Sequence, residues 1–183
     1  MERIPPSELE NAKEVFITSS SHLVCPVIKI DNVIIQPGGK PTIWKFLATV
    51  MNRGDEVLYP NPGYPIYESQ IRYQGGVPIP YGYVDTGSGF KIEIDKLISS
   101  ITPKTTALIY NNYQNPISAS SSLNEMQELA ELAIRNDLWV LSDDAYFEIR
   151  YSSDLAKSIV STGSYSYIPV IQHATWQKVH SCP

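Results

Sequence analysis

Leu138-Trp139-Val140-Leu141-Ser142-Asp143-Asp144-Ala145-Tyr146 is the stretch on which the reading of this chain turns. The four leading apolar residues make a short buried strand, which delivers an acid and a phenol to its C-terminal edge. In a parallel α/β sheet, ligands sit just beyond the carboxyl ends of the strands. A carboxylate fixed there holds a proton or positive charge on a bound heterocycle, and a tyrosine two or three residues on hydrogen-bonds an anionic oxygen. The plainer alternative is an aspartate that caps the next turn, beside a tyrosine whose ring belongs to the core. The rest of the chain has to supply the remainder of a site before the first reading gains weight.

Immediately upstream lies the clearest helix. Ser122 is its N-cap, and Glu125 three residues later completes a capping box. Leu123, Met126, Leu129, Ala130, Ala133 and Ile134 form its apolar stripe, with Glu125, Glu128 and Glu131 outward. Further back, strands are expected over 106–110, 77–81 and 56–59, the second interrupted by its prolines, with Asn32 to Gln36 as another. Helices are expected over 41–52, 66–74 and 95–101, the last capped by Asp95, and Gly75-Gly76 stops the second. Residues 85–89 read as a turn-rich surface loop. The N-terminal region gives a short helix over 7–16, a polar break over 18–21 and a strand over 22–30. Past Tyr146, strand character is expected over 147–151, a short helix over 155–160 and a last strand over 169–173. Strands alternating with helices, all buried in character, imply an α/β fold with a mostly parallel sheet flanked by helices.

Composition bounds the function. At 183 residues the chain is long enough for one domain with a real core, and 43% hydrophobic against 18% charged residues is a globular balance. A net charge of −5 argues against a nucleic-acid binder, which needs a clustered basic face. No apolar run approaches the ~20 residues of a membrane span. Met1-Glu2-Arg3-Ile4-Pro5-Pro6 has no apolar signal region, and Cys25 and Cys182 match no metal spacing, so a cytoplasmic protein without a metal site is expected.

Four strand-to-helix loops carry candidate chemistry. Gly38-Gly39-Lys40 opens a helix, where bare N–H groups, a helix N-terminus and a cation make a phosphate cradle; a tight turn is the alternative. The segment is neither a Walker loop nor a dinucleotide fingerprint. Tyr64 presents a ring face to a flat ligand, or is a half-buried turn aromatic. Asn115 donates to a phenolate or carboxylate oxygen, or forms the turn before Pro116. With Asp143 and Tyr146, the loops suit a ligand that has a phosphate, a flat ring, an anionic ring oxygen and a ring nitrogen. Pyridoxal phosphate fits that description.

In order and spacing, six segments from Asn32 to Tyr151 resemble the large domain of class I/II aminotransferases, the aspartate aminotransferase-like branch of the fold-type-I enzymes that use pyridoxal 5′-phosphate. They are Pro37-Gly38-Gly39-Lys40-Pro41, Gly54-Asp55-Glu56-Val57, Pro62-Gly63-Tyr64-Pro65-Ile66-Tyr67, Ile101-Thr102-Pro103-Lys104-Thr105, Asn115-Pro116 and Ser142-Asp143-Asp144-Ala145-Tyr146. The resemblance implies that Gly38, Gly39 and Lys40 bind the cofactor phosphate and that Tyr64 stacks on the pyridine ring. It implies that Asn115 and Tyr146 hydrogen-bond the ring oxygen and that Asp143 pairs with the ring nitrogen. It also implies transfer of an amino group between an amino acid and a 2-oxo acid, and a homodimer. The chain departs from the family where Gln114-Asn115-Pro116-Ile117-Ser118 replaces N-N-P-T-G, losing a glycine. Tyr167 stands where an S-x-S-K-like segment would place the Schiff-base lysine; Lys178 lies nearer the expected distance. No catalytic residue is therefore assigned. The expected organisation is an atypical segment over 1–31, a partial large domain over 32–160 and an atypical tail over 161–183. A non-catalytic remnant of the fold, acting as a binding or interaction protein, is the competing expectation.

Overall fold

The structure is a computed structural model, and it describes residues 16–19, 23–26, 29–30, 33–34, 39–146, 158–159 and 170–173. The chain divides into two units, residues 1–41 and 42–183. In the first, β1 (Phe16–Ser19) pairs antiparallel with β2 (Leu23–Pro26), and β3 (Lys29–Ile30) pairs antiparallel with β4 (Val33–Ile34). The single strand expected over 22–30 is thus two short ones, and Thr18 and Ser19 belong to a strand rather than a polar break. Of the strand expected from Asn32 to Gln36, Val33 and Ile34 form a local ladder, and the rest lies outside the described residues. The helix expected over 7–16 lies outside the described residues except for Phe16, which opens β1.

α1 (Gly39–Val50) begins at the end of the first unit and continues into the second. There follow β5 (Glu56–Pro60), α2 (Ile66–Tyr73), β6 (Val77–Tyr81), β7 (Tyr83–Asp85), β8 (Phe90–Ile92) and α3 (Ile94–Ser99). β9 (Thr105–Asn111), α4 (Leu123–Arg135), β10 (Trp139–Asp143) and β11 (Val170–His173) complete the described elements. Five strands form one parallel sheet in the order β11-β10-β9-β5-β6. The order reverses direction between β5 and β9, as an open α/β sheet with a switch point does.

Because successive strand residues face opposite sides, the sheet builds two cores. Val57, Tyr59, Ala107, Ile109 and Leu141 pack with Ile43, Phe46 and Leu47 of α1 and with Tyr67 and Ile71 of α2. Leu58, Leu108, Tyr110 and Val140 pack on the other side with Leu97 of α3 and with Met126, Leu129, Ala130 and Ala133 of α4. Each fully buried Leu or Ile is worth about 1.5–3 kcal/mol of transfer free energy. The parity matters beyond the core: Asp143 shares the α1–α2 side with Leu141, while Ser142 and Asp144 fall on the other.

Several local expectations are corrected. β6 is not interrupted by Pro78 and Pro80. The backbone of Val77 and Tyr81 bonds towards β5, through the Val77 N–H to Asp55 and the Tyr81 carbonyl from Asn61. The alternate positions 78 and 80 then face away, where a missing N–H is harmless. Residues 85–89 are, as expected, an exposed turn, here the tip of the β7–β8 hairpin closed by the Thr86 N–H donating to the Gly89 carbonyl at 2.8 Å. Asp95 lies within the first turn of α3, and Glu93 occupies the N-cap. Ser122 does cap α4, accepting from the Glu125 N–H at 3.2 Å. The reciprocal half of the box is not made, because the Glu125 carboxylate accepts from the Ile92 N–H at 2.9 Å. Leu123 and Ile134 of the expected stripe are 38% and 44% exposed, and Leu132 is buried in their stead. α2 stops as expected at Gly75, which takes φ +86° while the Gly76 N–H returns to the Ile71 carbonyl. The strand over 147–151 falls outside the described residues, as does the helix over 155–160 apart from Ser158 and Ile159.

Candidate functional site

β10 ends at Asp143, whose side chain is 5% exposed. Its parity sends the carboxylate to the side where α2 begins, and there the Tyr67 hydroxyl donates to Oδ2 at 2.6 Å. The Ala145 N–H donates to Oδ1 at 3.2 Å, a turn that holds the carboxylate's plane. A carboxylate has about four lone-pair positions. These two donors leave room for an N–H from a ligand. Burial first, then the adjacent Asp143 charge, pushes the Tyr67 phenol far above its usual 10.0. Tyr67 is therefore a permanent donor.

Tyr67 was not singled out by the sequence. It sits one position into α2, three after Tyr64, a spacing that also describes an ordinary core residue. Only the packing of α2 across β10 shows where its hydroxyl goes. The Tyr64 ring, half-buried, stands edge-on to the Tyr67 ring with centroids 5.7 Å apart and planes at 87°. Tyr64, in the loop just ahead of α2, thus lies beside the ring whose hydroxyl meets Asp143.

The loop after β9 is joined to the same point. Asn111 Nδ2 donates to the Asp143 carbonyl at 2.8 Å, and Asn111 Oδ1 accepts from the Asn115 N–H at 2.9 Å. Asn115 is in this way tied, through one side chain, to the backbone of the residue that bears the carboxylate. The loop contains cis peptide bonds at Asn112–Tyr113 and Asn115–Pro116, and the loop after β5 has one at Asn61–Pro62. Ser118, where the family has glycine, holds φ +56°. The turn has kept its left-handed geometry without the residue that adopts it most easily.

Tyr146 lies three positions past Asp143 and is 38% exposed. Gly39 and Lys40 are the first two residues of α1, in the other unit, and Gly38 and Lys178 lie outside the described residues. Asp144, 1% exposed, faces away from Tyr67 and accepts from Ser142 Oγ at 3.0 Å and Ser158 Oγ at 2.7 Å. Among the described residues no group of three or more His, Cys, Asp or Glu is placed to hold a metal. No described helix is long and apolar enough to cross a membrane.

Fold and site together define a parallel α/β domain with a buried carboxylate, an aromatic ring and an amide loop at the ligand edge of its sheet. The family model for aminotransferases of class I and II matches residues 7–176. The chain belongs to that family. It is 31% identical over 126 residues to an aspartate aminotransferase of Bacillus sp. (strain YM-2), covering 68% of this chain and 31% of that protein. It is 34% identical over 134 residues to an alanine aminotransferase of Mycobacterium bovis, covering 73% of this chain and 30% of the relative. Among solved structures, N-succinyldiaminopimelate aminotransferase from Mycobacterium tuberculosis superposes with a TM-score of 0.70 at 26% identity, over 75% of this chain and 35% of that one. The chain thus spans about a third of the length of the relatives it matches.

Proposed function

We propose that this chain supplies the cofactor-binding sheet edge of a pyridoxal 5′-phosphate-dependent aminotransferase, which moves an amino group from an amino acid to a 2-oxo acid. The observation that carries the reading is the buried Asp143 carboxylate, held by Tyr67 at 2.6 Å with acceptor capacity to spare. When bound, the cofactor supplies an electron sink that stabilises charge at the substrate carbon. The protein's part is to bind, orient and hold protons. With the cofactor bound, Asp143 would keep the ring nitrogen protonated, Tyr64 would stack on the ring, and Asn115 and Tyr146 would donate to the ring oxygen. The family resemblance of Gly38, Gly39 and Lys40 gives them the cofactor phosphate, which N–H groups at a helix start and a cation would hold. Residues 32–160 make up the large-domain portion. No catalytic residue is assigned; were a covalent link formed, Lys178 would be the amine to test, since His173 of β11 is level with Asp143 and Lys178 follows five positions later in sequence. The family's habit of placing the site between two copies suggests a homodimer, and two cysteines without disulfide or metal spacing suit the cytoplasm.

The test is an absorbance spectrum of the purified chain with pyridoxal 5′-phosphate, before and after borohydride, followed by peptide mapping. A visible band that borohydride fixes to Lys178 is expected. Cofactor that binds but is never trapped would leave a binding remnant of the fold, and no binding would sink the reading altogether.

A further inference from the structure

The loop after β9 is organised by one side chain that none of the foregoing roles uses. Gln114 is 3% exposed, and both of its amide N–H donors are engaged. Nε2 donates to the Pro62 carbonyl at 2.5 Å and to the Asn115 carbonyl at 2.8 Å, while Oε1 accepts from the Ile117 N–H at 3.1 Å. Its backbone is engaged too: the N–H donates to the Ala119 carbonyl at 2.9 Å, and the carbonyl accepts from the Ser118 N–H at 2.7 Å. Pro62 lies 52 positions earlier, in the loop after β5 that bears Tyr64 two residues on. One buried amide therefore joins the loop that carries the aromatic ring to the loop that carries the Asn115 amide.

We propose that Gln114 is a positioning residue for the cofactor ring, fixing Asn115 and Tyr64 relative to each other. The inference rests on the pyridoxal phosphate reading. A glutamine suits the task because it offers two donors and an acceptor in one plane, and here the donors meet two carbonyls from different loops while the acceptor closes the turn. Without it those carbonyls lose their buried donor, and the loops are free to part.

The probe is pyridoxine 5′-phosphate, which has the ring, the ring hydroxyl and the phosphate but no aldehyde, so its binding needs no lysine. Gln114→Met keeps the volume and removes all three hydrogen bonds. Gln114→Glu keeps the acceptor for Ile117 and removes both donors. In the full chain we expect both variants to bind the probe roughly tenfold more weakly, the equivalent of one good hydrogen bond. Absorbance titration should show the bound ring hydroxyl ionising at higher pH, in the direction Asn115→Ala moves it, because a displaced amide no longer stabilises the phenolate. If Gln114→Met fails to fold, Gln114→Glu carries the test. A lowered melting temperature with an unmoved titration would overturn the proposal, as would unchanged affinity in the variants. A wild-type chain that does not bind the probe would sink the cofactor reading and this inference together, whereas normal wild-type binding with unmoved variants would sink this inference alone.

Discussion

Tyr67 and Asp143 lie 76 positions apart in the chain and meet in a buried hydrogen bond of 2.6 Å. The contact links the first turn of α2 to the last residue of β10, across the side of the sheet that α1 and α2 cover. It fixes the orientation of a buried carboxylate at the ligand edge. Hydrogen bonds to a charged group are worth about 1.5–3 kcal/mol. Tyr67→Phe keeps the ring packing and removes only this bond. We expect it to destabilise the chain by that amount in urea denaturation, and to weaken pyridoxine 5′-phosphate binding on the order of tenfold. A variant indistinguishable from wild type in both measurements would show that Tyr67 merely fills space.

Alkaline pH should unfold the chain abruptly. Tyr67, Tyr81, Tyr83 and Tyr110 all have phenols raised above 10.0, in each case chiefly by burial. Their folded-state pKa values exceed the unfolded ones, so the native state binds more protons at high pH and stability falls as pH rises. The contribution is fully present below pH ~10 and lost above it, at about 1.4 kcal/mol per pH unit for each buried tyrosine. Phenolate absorbance should appear together with loss of the far-ultraviolet circular dichroism signal. Gradual ionisation ahead of unfolding would contradict the burial of these rings.

Among the described residues, two that are not glycine hold left-handed backbone, Ser118 at φ +56° and Asp137 at φ +53°. Asp137 follows α4, where the Leu138 N–H returns to the Ala133 carbonyl at 2.9 Å as in a glycine-terminated helix. Ser118→Gly and Asp137→Gly should each stabilise by about 0.5–1 kcal/mol, relief of the Cβ clash exceeding the added chain entropy. For a chain of this size that is a rise in melting temperature of roughly 1–4 °C. A fall at position 118 would mean that the serine side chain makes a contact of greater worth than the strain.

Gly63→Ala should be poorly tolerated, because a Cβ there would collide with the Pro60 backbone carbonyl. The atom in the way is main chain and cannot turn aside, so the loop bearing Tyr64 has to move. We expect a loss of about 1–3 kcal/mol and a changed near-ultraviolet tyrosine signal. An unaltered melt would mean the loop does not take this path.

Ser122→Ala removes the N-cap of α4 and should cost about 1 kcal/mol in a thermal melt. Glu125→Gln should cost less than a capping-box partner would, since Glu125 serves Ile92 of β8 instead.

The apolar runs at 56–59, 106–110 and 138–141 and the periodic stripe of α4 made the parallel α/β architecture legible, because strand and helix periodicity are local and burial amplifies them. Asp143, Tyr64 and Asn115 could be named as candidates for the same reason: Asp143 ends a strand, and Tyr64 and Asn115 lie in the loops after two others, where ligands collect. What lay beyond reach were the partners of side chains. Nothing in the sequence told Tyr67 from a core ring, Gln114 from a turn residue, or the Glu125 carboxylate from a capping-box partner. Those assignments depend on which strands become neighbours and on the parity with which each arrives. Strand order sets β10 between β9 and β11, and alternation along β10 turns Asp143 towards Tyr67 and Asp144 towards Ser158. Residues separated by 76 and 52 positions meet only after the crossovers have placed them. Local chemistry is written in the order of residues, whereas pairing across the sheet is a property of the folded chain.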